Sequence, residues 1–391
     1  MKFLYIGIDP MDFRPDYFQL HVVDKFDGVR QLGNEVDYIC RDEGKIFELI
    51  GGKKIFIPLI QAGDCDKEYF RYILAFLNDN EYDIVYLNSR LIYPEMCLMA
   101  QTVKAQKFGT KVIYEPTYWP IDFYFHKEMN TYRGNKQYGL FLKKFFEMLS
   151  QRRRGSDFAL CADAAVVFGF PARTVRGMPA IPMPNGVAVN KIHASFSSEA
   201  LDQPVTILAV ADGPGTCGFE RLFCGLKIYY EKDFHDSVTI DIVSNDSNTA
   251  LLRQAAAEIG IEGYVNFLGE KSLAQINDLC ATHTIAVGSL DLYLEGRIYD
   301  SPWITKFFCA AGIPFLYTGE DIGLDSKVPF ALKLPNLDAP INMELVSEFV
   351  WRCRFFTDLA QQERRYAEQH FDWRILMKRI LLFTATGKLE A

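Results

Sequence analysis

The segment Tyr299 to Phe315, YDSPWITKFFCAAGIPF, reads as a phosphate-facing helix start that runs through Ala-Ala-Gly-Ile-Pro into a buried strand. Asp300 or Ser301 is placed to cap the helix's orphan amides, Pro302 suits a first turn with no N–H to satisfy, and Gly312 stands where a C-terminal cap would end it. Such a helix start binds anions, because its backbone N–H groups and the positive end of its dipole point outward together. A second cluster, EPTYWPID (Glu115 to Asp122), leaves the carboxyl end of an apolar strand, where open α/β sheets hold ligands. Glu115, Tyr118, Trp119 and Asp122 combine carboxylates with aromatic faces and suit sugar rings by hydroxyl hydrogen bonds and stacking. An aromatic-rich loop lying over the sheet would leave the same pattern. His126 follows in the same loop, where a lone histidine is more often structural than an acid or base.

Both clusters need strands to hold them. KFLYIGID, EVDYICR, KKIFIPLI, YDIVYLNS, KVIYEP and AAVVFG read as strands with amphipathic stretches between most of them. Their nearly continuous apolar character fits a parallel sheet covered by helices on both faces. A second cycle, VTILAVA, VTIDIVSN, VNFLG, TIAVGSL and PFLYTG, runs from Val205 to Gly319, with helices predicted over 218–231 and 249–259. The predicted fold class is α/β, with two Rossmann-like doubly wound domains: residues 1–195, then 196–371. The boundary falls in AIPMPNGVAVN and the Ser-rich stretch after it. Beyond Pro340 the pattern is helical, and in the closing FDWRILMKRILLF, Trp373, Leu376, Met377 and Ile380 share one face.

A chain of 391 residues exceeds one ordinary core and supports two domains. No apolar run is long enough to span a bilayer, and the N-terminus has strand character, not that of a leader; the expected location is cytoplasmic. Nine cysteines without a CxxC pair or histidine spacing argue against a disulfide framework and a zinc site. The net charge of −8 disfavours nucleic acid as a partner. Between Lys127 and Arg154, however, eight bases face only two acids. Within that stretch Leu140, Phe141, Phe145 and Leu149 accompany Lys143, Lys144 and Arg152 to Arg154, so residues 140–154 form either a basic helix on an anionic membrane or an amphipathic core helix.

The residues also carry a resemblance. Ser301, Pro302, Gly312 and Pro314, with a base at Lys306, keep the frame of the Glu-x7-Glu segment of family 4 nucleotide-sugar glycosyltransferases of the capsule and exopolysaccharide type; Tyr299 and Phe307 stand where the two glutamates belong. Pro184-Asn185-Gly186-Val187 resembles their inter-domain Pro-Asn-Gly-Val/Ile segment, LGNEVDYI their Gly-His-Glu-Val segment, and YVNFLGE their Val-x-Phe-x-Gly strand. FDW at Phe371 resembles the start of their terminal helix, and EPTYWPID their Glu-x-Pro-Thr-Tyr-Pro segment. In ADGPGTCGFERL, Gly218 and Arg221 match a Gly-x-x-Arg-Leu pattern, Cys217 replaces a Lys or His, and Asp212 or a neighbour replaces a phosphate arginine. A flexible loop explains those glycines equally.

The resemblance spans nearly the whole chain and implies a GT-B architecture, with a crossover helix at 372–391 returning to the first domain. It implies retaining transfer of a sugar from a nucleotide-diphosphate donor to a glycan or lipid-linked glycan acceptor, with no metal or other cofactor. The donor diphosphate lies against the second domain in such enzymes. The implied catalytic set is Lys306, Arg221 and Asp300. The donor-binding set is Gly218, Glu295, Tyr299, Ser301, Trp303 and Thr305, and the acceptor-binding set is Glu115, Tyr118, Trp119, Asp122 and His126. Lipid-linked acceptors would add peripheral contact with the inner membrane face through 140–154. A Lys306→Ala change should then sharply reduce transfer. The alternative is a GT-B subunit that has lost donor chemistry and serves an active transferase as a partner or acceptor-binding chain.

Overall fold

The run KFLYIG forms β1 (Lys2–Gly7), whose residues from Phe3 onward are all buried, as a strand covered on both faces requires. The computed structural model describes residues 1–11, 19–42, 44–59, 65–202, 204–211, 213, 215–232 and 236–387. It contains two compact units, Met1–Met183 with Met377–Ala391, and Pro184–Leu376.

In the first unit, β1 joins β2 (Glu35–Arg41), β3 (Lys45–Ile50), β4 (Lys53–Pro58), β5 (Ile84–Ser89), β6 (Lys111–Pro116), β7 (Ala164–Phe168), β8 (Thr174–Val175) and β9 (Met178–Met183). The order is β4-β3-β2-β1-β5-β6-β7-β9-β8, so the chain reverses its direction of travel between β1 and β5. Pairing is parallel from β2 across to β9, and antiparallel at β2/β3, β3/β4 and β8/β9. KKIFIPLI therefore departs from the parallel expectation. Gly51 and Gly52, at φ 55° and 79°, close a two-residue hairpin that folds β4 back on β3 as an edge strand with no helix cover. Helices α1 (Asp24–Gln31), α2 (Cys65–Asp79), α3 (Pro94–Gln106), α4 (Ile121–Gly134) and α5 (Tyr138–Ala159) complete the unit.

The second unit's sheet is wholly parallel: β10 (Val205–Val210), β11 (Val238–Val243), β12 (Val265–Gly269), β13 (Ile285–Val287), β14 (Phe315–Thr318) and β15 (Ala331–Leu334), in the order β12-β11-β10-β13-β14-β15. Its reversal lies between β10 and β13. The helices are α6 (Glu220–Tyr230), α7 (Asp246–Ile259), α8 (Leu273–Cys280), α9 (Trp303–Ala311), α10 (Met343–Cys353), α11 (Leu359–His370) and α12 (Trp373–Thr386). Local chemistry fixes several ends: Asn245 caps α7 through the Asn248 amide, Gly260 ends it in the left-handed region, and Ser272 with Gln275 forms a capping box on α8.

Residues Ala180–Met183, read from sequence as linker, are the end of β9. The segment after it is held inside the second unit: the Val187 amide donates to the Phe371 carbonyl at 2.9 Å, and Trp373 N–H donates to Val187 O at 3.2 Å. Gly186 is required there, because a Cβ would lie 2.7 Å from the Trp373 ring. Trp373, Leu376, Met377 and Ile380 of α12 are all buried, and the helix from Met377 onward clusters with the first unit.

Candidate functional site

Ligands in doubly wound sheets bind beyond the carboxyl ends of the strands where the order reverses. In the second unit that point is flanked by the loops after β10 and β13. Gly218, at φ 72°, brings them together: a Cβ there would lie 2.7 Å from the Leu290 carbonyl carbon, and the Leu290 amide donates to Cys217 O at 2.7 Å. Arg221, in the first turn of α6, holds the arrangement from beneath. Its Nε donates to Ala339 O at 3.0 Å, Nη1 to Leu290 O at 3.0 Å and Nη2 to Pro335 O at 2.6 Å, with the guanidinium 5.1 Å from the Tyr293 ring centre. Only 4 % of Arg221 is exposed, so this cation staples the loop after β13 to the loop after β15. Asp212 lies outside the described residues.

The start of α9 stands on the same carboxyl edge. Its N-cap is Pro302, and no side chain caps it; Gly312 ends it at φ 81°. Neither Asp300 nor Ser301 caps, because Arg297 claims the first and longer-range partners the second. Ser301 Oγ donates to Asp321 Oδ1 at 3.1 Å and accepts from the Asn185 amide at 3.0 Å, while its carbonyl accepts from Asn185 Nδ2 at 2.6 Å. Asp300 N–H donates to Glu320 O at 3.0 Å, and its half-exposed carboxylate accepts from Arg297 Nη2 at 3.1 Å. Burial pushes the Asp300 carboxyl up, against the pull of Arg297. Tyr299 bridges to Glu320, and the exposed Glu295 pairs with Arg297 at 3.1 Å.

Lys306 is neither an exposed helix lysine nor open to solvent. Its side chain is 1 % exposed, and Nζ donates to Asp321 Oδ2 and to Thr305 Oγ1, the latter at 3.2 Å. Thr305 is itself buried, its hydroxyl donating to Pro302 O at 2.8 Å. Asn185, Ser301, Asp321, Lys306 and Thr305 therefore form one polar chain beneath the helix start. Phe307, at the second glutamate position, is buried against Trp303, with ring centres 6.2 Å apart, and Trp303 stays partly exposed.

In the first unit the structure separates the residues of EPTYWPID. Glu115 is buried, accepting from Lys25 Nζ at 2.8 Å through each carboxylate oxygen and from the Tyr86 hydroxyl at 2.5 Å. Asp122 accepts from Arg176 at 2.9 Å and Arg152 at 3.2 Å; burial alone would raise its carboxyl, but the two guanidiniums hold it below the usual range. Arg176 also lies 5.7 Å from the Trp119 ring centre, so Trp119 and Asp122 lock α4, α5 and the β8–β9 hairpin together. Tyr118 is half-buried and His126 exposed.

A different group occupies the β1/β5 reversal. Asp9 follows β1, and its carboxylate accepts from the Arg90 amide and, at 3.4 Å, from the Tyr93 hydroxyl, both residues following β5. Buried Arg41 stands close by, its Nε donating to Ile8 O at 3.0 Å and Nη2 to Asp66 at 2.6 Å. Burial pushes the Asp9 carboxyl up, while Arg90, Tyr93 and Arg41 oppose it. Asp9 is not among the residues the sequence singles out; its signal there is a carboxylate two residues beyond the apolar run of β1. Among the described residues no cluster of three His, Cys, Asp or Glu could hold a metal ion, and no helix is long and apolar enough to cross a membrane.

The basic stretch forms α5, whose buried residues are Met148, Gln151, Gly155 and Phe158. Leu140, Leu142, Phe145, Phe146 and Leu149 are exposed, beside exposed Lys143 and Arg153. Lys144 instead pairs with Glu128 at 2.7 Å and Glu147 at 2.9 Å.

Neither a protein-family model nor a curated protein sequence matches the chain. Solved structures do match. A sucrose-phosphate synthase from Thermosynechococcus elongatus aligns with a TM-score of 0.59 at 13% identity, over 99% of this chain and 100% of that one. A glycosyltransferase from Rickettsia africae aligns at 0.59 and 12%, over 100% and 99%. HepE from Anabaena in complex with UDP aligns at 0.60 and 12%, over 99% and 100%. At these identities the likeness establishes the fold, which is GT-B with its C-terminal crossover helix.

Proposed function

We propose that the protein binds a nucleotide-diphosphate sugar at the carboxyl edge of its second sheet and transfers the sugar, with retention, to a glycan or lipid-linked glycan. The observation that carries this reading is the uncapped start of α9, on the edge where the β10/β13 order reverses. Backbone amides and the helix dipole stabilise the leaving diphosphate. Lys306 and Arg221 act as positioning residues, the first through Asp321 and Ser301, the second through the Leu290 loop. Asp300, Tyr299 and Glu295 meet the donor's hydroxyl groups, and Asp9 joins Tyr118 on the acceptor side. The reading calls for no metal cofactor. HepE, crystallised with UDP, is a neighbour whose ligand fits it.

A second reading has its own support. Both expected phosphate cations are spent inside the protein and Phe307 lies in the core, which favours a GT-B subunit without donor chemistry. Incubation with UDP-, GDP-, dTDP- and ADP-sugars in turn, following free sugar by chromatography, separates the two. The transferase reading expects slow hydrolysis of one donor class; release from none of them favours the partner subunit.

A lipid-linked acceptor would place the exposed apolar and basic face of α5 on an anionic bilayer. The protein is then expected to sediment with phosphatidylglycerol-containing vesicles, to release them in high salt, and to lose binding in Phe146→Ser. Equal sedimentation with pure phosphatidylcholine would contradict that contact.

A further inference from the structure

Two cysteines meet on the first unit's surface. Cys97 lies in the first turn of α3 and Cys161 just beyond the end of α5, and both are half-buried. Gln101, four residues beyond Cys97 on the same helix face, directs Nε2 to the Cys161 sulfur at 3.9 Å. The Cys161 thiol donates to the Asp157 carbonyl oxygen at 3.8 Å. Together they line a cavity of about 740 Å³ whose wall includes Ser150, Arg153, Arg154 and Asp157. A cavity that holds two thiols and two guanidinium groups against one carboxylate suits a small disulfide that carries carboxylates.

We propose that Cys97 and Cys161 form a reversible redox pair that exchanges with a small anionic disulfide held by Arg153 and Arg154. The Cys161 sulfur, having released its proton to solvent, attacks one sulfur of that disulfide; the S–S bond breaks and the first small thiolate leaves to take up a proton. The Cys97 sulfur then attacks the Cys161 sulfur of the mixed disulfide, and the second small thiol departs with the proton from Cys97. Two protein thiols are oxidised to one disulfide, and one small disulfide is reduced to two thiols. Burial and the neighbouring Cys161 push the Cys97 thiol up to about 12, which assigns it the second, resolving step. Cys97 is one helical turn from Tyr93, so the oxidised pair tethers the helix that supplies Asp9 with its hydroxyl partner.

The test uses the full chain equilibrated with oxidised and reduced glutathione over a range of ratios, quenched in acid, blocked with N-ethylmaleimide and mapped by mass spectrometry. The Cys97–Cys161 cross-link is expected before oxidation of any other cysteine, and Cys97→Ser is expected to stop at a glutathione adduct on Cys161. Arg153→Ala with Arg154→Ala is expected to slow reaction with glutathione disulfide about tenfold, as loss of steering charge does, while sparing reaction with neutral hydroxyethyl disulfide. The proposal fails if both thiols stay reduced when other cysteines oxidise, if Cys97→Ser gathers its adduct elsewhere, or if the arginine variant reacts with both disulfides as the parent does.

Discussion

Lys306→Ala is expected to lose about 3–5 kcal/mol of stability, because it leaves the buried Asp321 carboxylate without its counter-charge. Asp321 also accepts from Ser301 Oγ and from the Gly323 amide, so the unpaired charge would disturb the segment ahead of α9 and the loop after β14 together. Transfer activity would fall as well, but through loss of the fold. Lys306→Met combined with Asp321→Asn removes both charges, keeps an oxygen to accept from Ser301 and Gly323, and is expected to recover a large part of the loss, since no unpaired buried charge remains. Urea unfolding followed by tryptophan fluorescence, with Trp303 one of the four reporters, measures this. A Lys306→Ala protein that unfolds at the parent's midpoint yet has no turnover would place Lys306 in the chemistry instead.

Glu363→Gln is expected to flatten the pH dependence of the second unit's stability. Glu363 lies on α11, is 0 % exposed, and neither carboxylate oxygen has a hydrogen-bond partner among the described residues. Burial raises its carboxyl well above the ordinary value of 4.5. There is little room to relax: Gly312, at the end of α9, is packed so closely on α11 that a Cβ would lie 3.1 Å from Ala360 O. The folded protein therefore keeps a proton that the unfolded chain releases. The stability this gives is fully present below about pH 4.5 and is lost as the pH rises toward the folded-state value, at up to about 1.4 kcal/mol per pH unit. Unfolding midpoints from pH 5 to pH 8 should fall more steeply for the parent than for Glu363→Gln. Parallel curves would mean that Glu363 carries its charge when folded.

The strands that run under helices on both faces were legible because burial writes them as nearly continuous apolar runs; β1, β5 and β10 are of this kind. The others were hidden by particular residues. Glu48 disguises β3, although it is buried and accepts from the Tyr72 hydroxyl, and Pro179 and Pro182 make β9 read as linker. The helix at 303–311 and its Gly312 end were legible from local spacing. Its cap was not, since the partners that claim Ser301 lie 116 and 20 residues away along the chain. Lys306 misled for a similar reason: it sits in a helix whose residues from Ile304 to Ala311 are all buried, and only the position of Asp321 explains it. Glu115 and Asp122 carried sugar-binding chemistry in the sequence, yet Lys25 and Arg176 take their charges in the fold. Asp9 gained its importance from strand order, which no local pattern encodes.

A nucleotide-diphosphate site built from backbone amides at the edge of the second sheet is tested most directly by calorimetric titration with UDP, GDP, dTDP and ADP. A saturable isotherm is expected with at least one of the four, and it should persist when Asp9 of the first unit is replaced by asparagine. No measurable binding of any of the four would contradict it.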